Sequence, residues 1–327
     1  MNKTAPTGSL ITVLVPCCNV EKYVEQCVDS LRRQTHSNLE ILCINDGSSD
    51  STPAILDRLA KADSRIRVIH KKNTGYGHSM NLGLSQARGD YVGILESDDF
   101  AEPDMFEKLL ANAEACSLDI SRAGYYEHRT SDGVDTPVPT DYVPKNRVMK
   151  PIDEPAPFYQ PPAIWSSLYR SEFLKKNGIR FLETPGASFQ DTSFAFKCYF
   201  AAERFMMIND PVLHYRVDNA NSSVNNPKKV FCVCDEYEEI WRHAKADPVR
   251  FEKIKTLIPV LQLGAYKWNF NRLSRPLRKQ FLQRFHDEYR AIHRAGLVDW
   301  NLYPRHDKKI VAEAVWLPFL LMFRRSL

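Results

Sequence analysis

The chain has 327 residues, of which 43% are hydrophobic and 26% are charged, and its formal net charge is +4. This length allows two domains or one elaborated domain with a sizeable buried core, so general disorder is excluded. A charge this small, carried by basic residues that are spread along the chain, argues against binding to nucleic acid.

Cysteine usage and the two ends of the chain point to a cytoplasmic protein. The 8 cysteines lack the spacing of a zinc ribbon, and we expect reduced thiols. The apolar run after the polar amino terminus is too short for a signal peptide or a membrane span. Residues 309–327 are rich in apolar side chains and contain Arg324 and Arg325. This segment is either a terminal helix docked on the core or an amphipathic anchor on the inner face of an anionic plasma membrane.

Strand-like and helix-like segments alternate in the first half of the chain, which predicts an α/β fold with a mostly parallel sheet covered by helices. Helices are expected after Asn19, which would cap the first one, after Thr52, and over residues 78–88, with a left-handed cap at Gly89. Strands are expected at residues 9–16, 39–45, 66–70 and 91–95.

The second half of the chain has a different pattern. Residues 129–162 contain many prolines and little periodicity, which predicts a long excursion over the surface or onto the sheet. From about residue 227 the pattern is helical to the end. We therefore divide the chain into residues 9–126, 127–226 and 227–327.

Polar side chains follow three of the predicted strands. They lie at Asn19, at residues 46–50 and at residues 96–99. Open α/β sheets bind ligands beyond the carboxyl ends of their strands, so we expect these side chains to converge on one ligand. Taken alone, the pair Asp98 and Asp99 is more typical of a helix cap, which Asp99 could form with Glu102 and Pro103, than of a cation site.

Five stretches, in this order, resemble the family 2 glycosyltransferases of the GT-A fold: VPCCN, DGSSD, KKNTGYGHSMNLGL, GDYVGILESDD and FQD. The resemblance covers roughly residues 10–222. It implies an inverting transfer of a sugar from a nucleotide-sugar, expected to be a UDP-sugar, to a glycan or lipid-linked acceptor. It also implies that residues 9–126 bind the donor and residues 127–226 bind the acceptor, with a helical extension after them.

The resemblance assigns a set of donor-binding positions. Asp46 would accept a hydrogen bond from the base, and the loop that begins at His214 would close over the diphosphate. The alternative interpretation is that His214 is an ordinary residue of a strand. The full donor-binding set is Pro16, Asn19, Asp46, Gly47, Ser48, Lys72, Asn73, Asn81, Glu96, Ser97, Asp98, His214 and Arg216.

A divalent cation, Mn²⁺ or Mg²⁺, is implied by the chemistry of the donor, because the departing diphosphate gains negative charge. By the resemblance, Glu96 and Asp98 stand at the Asp-x-Asp motif of the family, with Asp99 beside them. Asp98 is the expected metal ligand, and Asp99 is the second choice. Glutamate at position 96 departs from the more common aspartate, so its contact with the ribose is left open.

The acceptor side is expected around residues 165–191. Gln190 and Asp191 match the family's Glu-Asp motif, which implies that Asp191 is the general base and that Gln190 lies near the acceptor. The alternative interpretation of Asp191 is the cap of the helix that follows. Trp165 would stack on an acceptor sugar, unless it belongs to the core.

Two other functions remain open. One is a protein of the same fold that binds a nucleotide-sugar or glycan without turnover. The other is a sugar-phosphate nucleotidyltransferase, whose first strand should lead into a loop rich in glycine and containing arginine. VPCCNVEKY contains neither residue, which argues against that enzyme. No pattern in the sequence indicates the oligomeric state.

Overall fold

The computed structural model describes residues 8–219 and 229–327. The chain divides into two compact units, Met1–Ala220 and Asn221–Leu327. The end of the loop that was expected to cover the diphosphate, residues 220–223, lies outside the described residues.

Four parallel strands form the first half of the sheet in the first unit. The strand order is β3-β2-β1-β4, and each neighbouring pair is parallel. Every residue of the first two strands is buried, as expected for strands covered by helices on both faces. The four strands are β1 (Ile11–Cys17), β2 (Leu39–Asp46), β3 (Ile66–Lys71) and β4 (Tyr91–Ile94).

Helices connect these strands, so the loops that leave the strands all lie at the same edge of the sheet. In the first helix, Val24, Cys27, Val28 and Leu31 are buried, which is the spacing seen in the sequence. The three connecting helices are α1 (Val24–Arg32), α2 (Thr52–Ala62) and α3 (Tyr76–Gln86), and α4 (Met105–Ala115) follows these strands in the chain.

The rest of the sheet mixes strand directions. Its order continues β4-β8-β6-β9-β5, with β7 paired to β6, and only the β6–β9 pair is parallel in this part. The strands are β5 (Phe100–Ala101), β6 (Ile120–Arg129), β7 (Val134–Pro137), β8 (Ser167–Arg170) and β9 (Phe205–Arg216). Two helices complete the unit, α5 (Ser171–Lys176) and α6 (Gln190–Ala201).

Two local predictions were wrong. Asn19 does not cap α1, which begins at Val24; its backbone has a φ of 54° and its side chain accepts a hydrogen bond from the Ser49 N–H at 2.8 Å. Gly89 is not left-handed. Glycine is needed there because a Cβ atom would lie 2.5 Å from the main-chain nitrogen of Thr12.

The second unit is helical, as the sequence pattern predicted. An aromatic group of Tyr266, Phe281, Phe285 and Tyr289 lies at its centre, with each of these side chains fully buried. None of the helices in the described part of the chain is long and apolar enough to cross a bilayer. The helices are α7 (Cys232–Lys245), α8 (Pro248–Ile254), α9 (Ile258–Arg272), α10 (Arg275–Arg294), α11 (Arg305–Trp316) and α12 (Pro318–Leu321).

Candidate active site

Asp46 ends β2 at the carboxyl edge of the sheet and is buried. Its two carboxylate oxygens accept hydrogen bonds from the N–H groups of Thr74 and Gly75, both at 2.9 Å, and Lys71 pairs with the same carboxylate. Asp46 thus holds the turn that leads into α3. Its predicted hydrogen bond to a nucleotide base would add to these contacts and stays a prediction.

The loops after β1, β2 and β3 contact one another. The Asn19 N–H donates to the Ser48 hydroxyl at 3.0 Å. Gly47 has a φ of 68°, and a Cβ atom there would lie 2.6 Å from the main-chain nitrogen of Asn73. Glycine is therefore required where the second and third loops meet. Of the predicted donor positions here, Lys72 and Asn73 are exposed, whereas Pro16 is buried within β1.

Asp99 is buried at the end of the loop after β4, directly before β5. Its Oδ1 accepts a hydrogen bond from the Arg216 N–H at 2.8 Å, and its Oδ2 is buried without a hydrogen-bond partner among the described residues. Burial, followed by the charge of Asp98, raises the pKa of Asp99 well above its usual range. A buried carboxylate oxygen with no donor suits a cation ligand, because a cation would offset the cost of its burial.

Asp98 lies beside Asp99 and is only partly buried. Its Oδ2 accepts a hydrogen bond from the Asn219 side-chain amide at 2.8 Å. Arg216 donates from Nε to the Asp98 carbonyl at 2.8 Å and also binds the side chains of Gln26 and Thr130. The predicted contact of Arg216 with phosphate would require these partners to be exchanged, and it stays a prediction.

Glu96 and Tyr76 form a hydrogen bond across the same edge. The Tyr76 hydroxyl donates to the Glu96 carboxylate at 2.6 Å. Burial and the charges of Asp98 and Asp191 raise the pKa of Glu96 to about 8, against the hydrogen bond from Tyr76. Glu96 is therefore mostly protonated at neutral pH. Ser97, between Glu96 and Asp98, is buried.

Asp191 lies in the first turn of α6, and the cap position is Phe189, which has a φ of 64°. The interpretation of Asp191 as the helix cap is therefore wrong. Burial raises the pKa of Asp191 to about 6, against hydrogen bonds from the N–H and hydroxyl of Thr192. The charge of Asp191 in turn contributes to the raised pKa values of Tyr76, Glu96 and Tyr215.

Tyr215 links the two sets of carboxylates. Burial raises the pKa of its hydroxyl first, and the charges of Asp99, Asp98 and Asp191 then add to the shift. The charges of an acidic pair on one loop and of a carboxylate on a separate helix thus all act on one phenol.

Trp165 stacks on Tyr215, with ring centroids 5.2 Å apart and planes inclined by 14°. The indole is half-buried and packs against the hydrophobic core. Its Nε1 is buried and has no hydrogen-bond partner in the described part of the chain. The core interpretation of Trp165 therefore has structural support, and its contact with an acceptor sugar stays a prediction.

Asn81 and Gln190 position the loop that precedes α6. Asn81 donates to the Phe181 carbonyl at 3.0 Å and accepts from the Phe181 N–H at 2.8 Å. Gln190 is buried and donates to the Thr184 hydroxyl at 2.8 Å. Both side chains thus bind groups of the segment that precedes Asp191 in the chain. Direct contact of Asn81 with the donor sugar, or of Gln190 with the acceptor, stays a prediction.

His214 lies in β9 and is buried between aromatic rings. Its ring nitrogens contact Asp135 Oδ1 and Glu102 Oε1, each at 2.9 Å. These contacts support the interpretation of His214 as a strand residue. A contact with phosphate would need the ring to leave both carboxylates.

Sequence reasoning missed Tyr76, Tyr215 and Asn219. Tyr76 lies in one of the five stretches that carry the resemblance, and Tyr215 and Asn219 lie in the segment that begins at His214. Nothing in the spacing of these residues marks them as part of the site. Tyr76 and Tyr215 enter through contacts with carboxylates from distant parts of the chain.

Solved structures of glycosyltransferases share this fold. S. aureus TarS 1-349 in complex with UDP-GlcNAc matches with a TM-score of 0.69 and 20% identity, covering 93% of this chain and 87% of that one. The mannosyltransferase PcManGT from Pyrobaculum calidifontis, in complex with GDP-Man and Mn²⁺, matches with a TM-score of 0.57 and 18% identity, covering 96% and 88%. The prediction of a GT-A fold is confirmed.

The sequence itself matches the same class of enzyme. The glycosyltransferase EpsJ of Bacillus subtilis (strain 168) is 35% identical over 225 residues, which are 67% of this chain and 64% of EpsJ. The chain thus spans less than two thirds of the length of that relative. The model of the family described as "Glycosyl transferase family 2" matches residues 12–178, about half of the chain. The chain therefore belongs to glycosyl transferase family 2, as the five sequence stretches predicted.

Proposed function

We propose that the chain is an inverting glycosyltransferase that moves a sugar from a UDP-sugar to a glycan or lipid-linked acceptor. The supporting observation is that Asp98 and Asp99 on one loop and Asp191 on a separate helix all act electrostatically on Tyr215. Two groups of carboxylates in different surroundings can take different roles, one as a base and one as a cation site. We propose that residues 9–126, which contain Asp98 and Asp99, bind the donor. Residues 127–226, which contain Asp191, would bind the acceptor.

Asp98 and Asp99 would hold the divalent cation. They offer oxygen ligands, and Oδ2 of Asp99 is buried without a donor in the described structure. When bound, Mn²⁺ or Mg²⁺ neutralises charge on the departing diphosphate. The structures of TarS and PcManGT were solved with UDP-GlcNAc and with GDP-Man, respectively, so the base of the donor needs a direct test.

Asp191 would accept the proton of the acceptor hydroxyl. In a single displacement, the acceptor oxygen attacks the anomeric carbon while the nucleoside diphosphate leaves from the opposite face, which inverts the configuration. With a pKa of about 6, Asp191 is mostly ionised at neutral pH and more basic than an ordinary aspartate. Protonated Glu96 adds no further negative charge beside Asp98 and Asp99, which keeps the site open to an anionic donor.

A donor screen tests this function. Thermal shift is measured with UDP-, GDP-, dTDP- and CMP-sugars, each with and without Mn²⁺, because a ligand that binds only the folded state raises its melting temperature. We expect the largest shift with one UDP-sugar and Mn²⁺, and release of UDP with an acceptor whose product has the inverted anomeric configuration by NMR. Retained configuration would contradict the mechanism. Binding without release would favour a silent binding protein, and release of pyrophosphate would favour a nucleotidyltransferase.

We also propose that the second unit contacts the inner, anionic face of the plasma membrane, with the protein in the cytoplasm. One face of α11 buries Ile310, Val311, Ala314 and Val315, as in a docked helix. The residues that follow expose a large apolar surface formed by Trp316, Leu317, Phe319, Leu320, Met322 and Phe323. Arg278 and Arg325 lie beside each other near this surface, since the Arg278 guanidinium donates to the Arg325 carbonyl at 3.0 Å.

The membrane contact can be tested by sedimentation with vesicles. Apolar side chains next to basic ones bind anionic interfaces, so we expect co-sedimentation with phosphatidylglycerol vesicles and much less with phosphatidylcholine vesicles. The double variant Phe319→Glu, Phe323→Glu should lose this binding. Val249→Glu is the matched control, because Val249 is also exposed in the second unit but lies on α8. Binding by the double variant equal to that of the control would contradict the proposal.

A further inference from the structure

Two histidines and an aspartate lie close together on three adjacent strands, β6, β7 and β9. His128 on β6 lies opposite Asp135 on β7, and His214 is on β9, the other neighbour of β6. The His128 and His214 Nδ1 atoms lie 2.8 and 2.9 Å from Asp135 Oδ1. Nitrogen and oxygen atoms of these three side chains lie within 4.8 Å of one another. We call these three residues the His-Asp-His cluster.

The imidazole ring of His214 lies between two carboxylates. Its Nδ1 faces Asp135 and its Nε2 faces Glu102 Oε1 at 2.9 Å, so a carboxylate oxygen lies against each ring nitrogen. A neutral imidazole has one N–H and can satisfy only one of them. A metal ion bound at Nδ1, with the ring proton on Nε2, would satisfy both contacts.

We propose that the His-Asp-His cluster binds a transition metal ion, with Zn²⁺ as the best fit, separately from Asp98 and Asp99. Two imidazole nitrogens and one carboxylate oxygen form a typical zinc ligand set, whereas Mg²⁺ prefers oxygen ligands alone. Glu102 would then accept the Nε2–H of His214 and so keep its Nδ1 free for the metal. Carboxylates hold metal-binding histidines in this way in many zinc sites.

The cluster must rearrange to hold the ion. Ligand atoms of a tetrahedral zinc ion, with bonds of about 2.0 Å, lie about 3.3 Å apart. The two distances to Asp135 Oδ1 are 2.8 and 2.9 Å, so Asp135 must move by a few tenths of an ångström, and the two histidine nitrogens, which lie within 4.8 Å of each other, must take up the same spacing. Asp135 is on the short strand β7, which is exposed along its length, and the movement of Asp135 displaces no buried side chain.

The bound ion would brace the edge that carries Asp98 and Asp99. His214 stacks on Phe100, with ring centroids 4.3 Å apart, and Phe100 directly follows Asp99. Two residues beyond His214, the Arg216 N–H binds Asp99 and its guanidinium binds the Asp98 carbonyl. A metal ion that ties β9 to β6 and β7 would therefore limit the movement of this segment. The binding itself does not depend on the proposed reaction.

Metal binding to the full chain tests the inference. After treatment with EDTA and buffer exchange, ZnCl₂ is titrated by calorimetry, and Co²⁺ is added separately to record its visible absorption. We expect one Zn²⁺ per chain and a Co²⁺ spectrum with nitrogen ligands. Asp135→Ala and His128→Gln should each weaken Zn²⁺ binding at least tenfold, and Glu102→Gln should weaken it by about 10- to 100-fold. Circular dichroism confirms that each variant is folded.

Two controls separate this site from other metal binding. His70→Gln removes a histidine that also contacts an aspartate, Asp57, at 3.0 Å outside the cluster, and it should leave Zn²⁺ affinity unchanged. The double variant Asp98→Ala, Asp99→Ala should retain Zn²⁺ binding while it loses the metal of the proposed transferase site. No Zn²⁺ binding, or equal affinity in wild type, Asp135→Ala and His128→Gln, would overturn the inference. So would loss of Zn²⁺ only in the Asp98, Asp99 double variant.

Discussion

Replacing Asp191 with asparagine should slow the reaction and stabilise the fold at the same time. Loss of a general base usually lowers turnover by about 10²- to 10⁴-fold, and we expect this loss with donor binding nearly unchanged. The gain in stability follows from the pKa of Asp191, which burial raises from 3.8 to about 6. A shift of about 2 units corresponds to about 3 kcal/mol, and because the side chain is partly solvated we expect about 1–3 kcal/mol.

The stability gain should depend on pH. The pKa is raised in the folded state, so between the unfolded and folded pKa values the native protein binds more protons and loses stability as pH rises. The loss of folding stability caused by ionisation of Asp191 is therefore absent below about pH 4 and complete above about pH 7. Melting temperatures of the wild type and Asp191→Asn, measured across this range, should coincide at the acidic end and separate at the neutral end.

A matched control separates the charge of Asp191 from a general effect at helix starts. Glu172 also lies in the first turn of a helix, α5, but it is exposed. Glu172→Gln should leave turnover unchanged and alter stability by less than about 0.5 kcal/mol. The reasoning would be refuted if Asp191→Asn retained turnover within a few-fold of wild type, or if it lowered stability at neutral pH.

Three further results are expected. Asp98→Ala and Asp99→Ala should each lower Mn²⁺-dependent donor affinity by at least tenfold in calorimetry, and unchanged affinity in both would exclude a cation at this position. Turnover should fall about tenfold per pH unit below about pH 6, because protonated Asp191 cannot act as a base, and a flat profile there would point to another base. Gly77→Ala should destabilise the fold by about 1–3 kcal/mol, because its Cβ would lie 2.0 Å from a carbonyl oxygen. Gly264→Ala, on a helix with no atom within 4 Å of its Cβ, should stabilise by about 0.5–1 kcal/mol, and equal effects in both variants would contradict the packing argument.

The parallel half of the sheet could be predicted because β1, β2 and β4 are buried along their whole length, as in strands covered on both faces by helices. Its ligand edge followed from strand direction alone. The mixed half could not be predicted in the same way. β7 and β8 have four residues each, and β5 has only two, so none shows a reliable period.

The hydrogen-bond partners of side chains at the site show a second limit on what can be predicted from the sequence. Asp191 and Asp98 were singled out by the resemblance to the motifs of the family, and the charges of both act on Tyr215 in the structure. Asn81 was expected to contact the donor sugar. In the structure its side chain donates a hydrogen bond to the carbonyl of Phe181, which is 100 residues away in sequence. Such long-range contacts follow from how the loop before α6 packs on α3, which local pattern does not encode.

Ionised Asp99 opposes folding, and the cation that we propose at Asp98 and Asp99 would offset this cost. The buried side chain of Asp99 has a raised pKa, caused first by burial and then by Asp98, so its ionised form is disfavoured in the fold. Neutral asparagines at positions 98 and 99 should therefore stabilise the protein without metal. With Mn²⁺ and donor present, only the wild type gains binding energy, and its melting temperature should rise above that of the double variant. The same order of melting temperatures with and without Mn²⁺ and donor would show that Asp98 and Asp99 do not bind the cation.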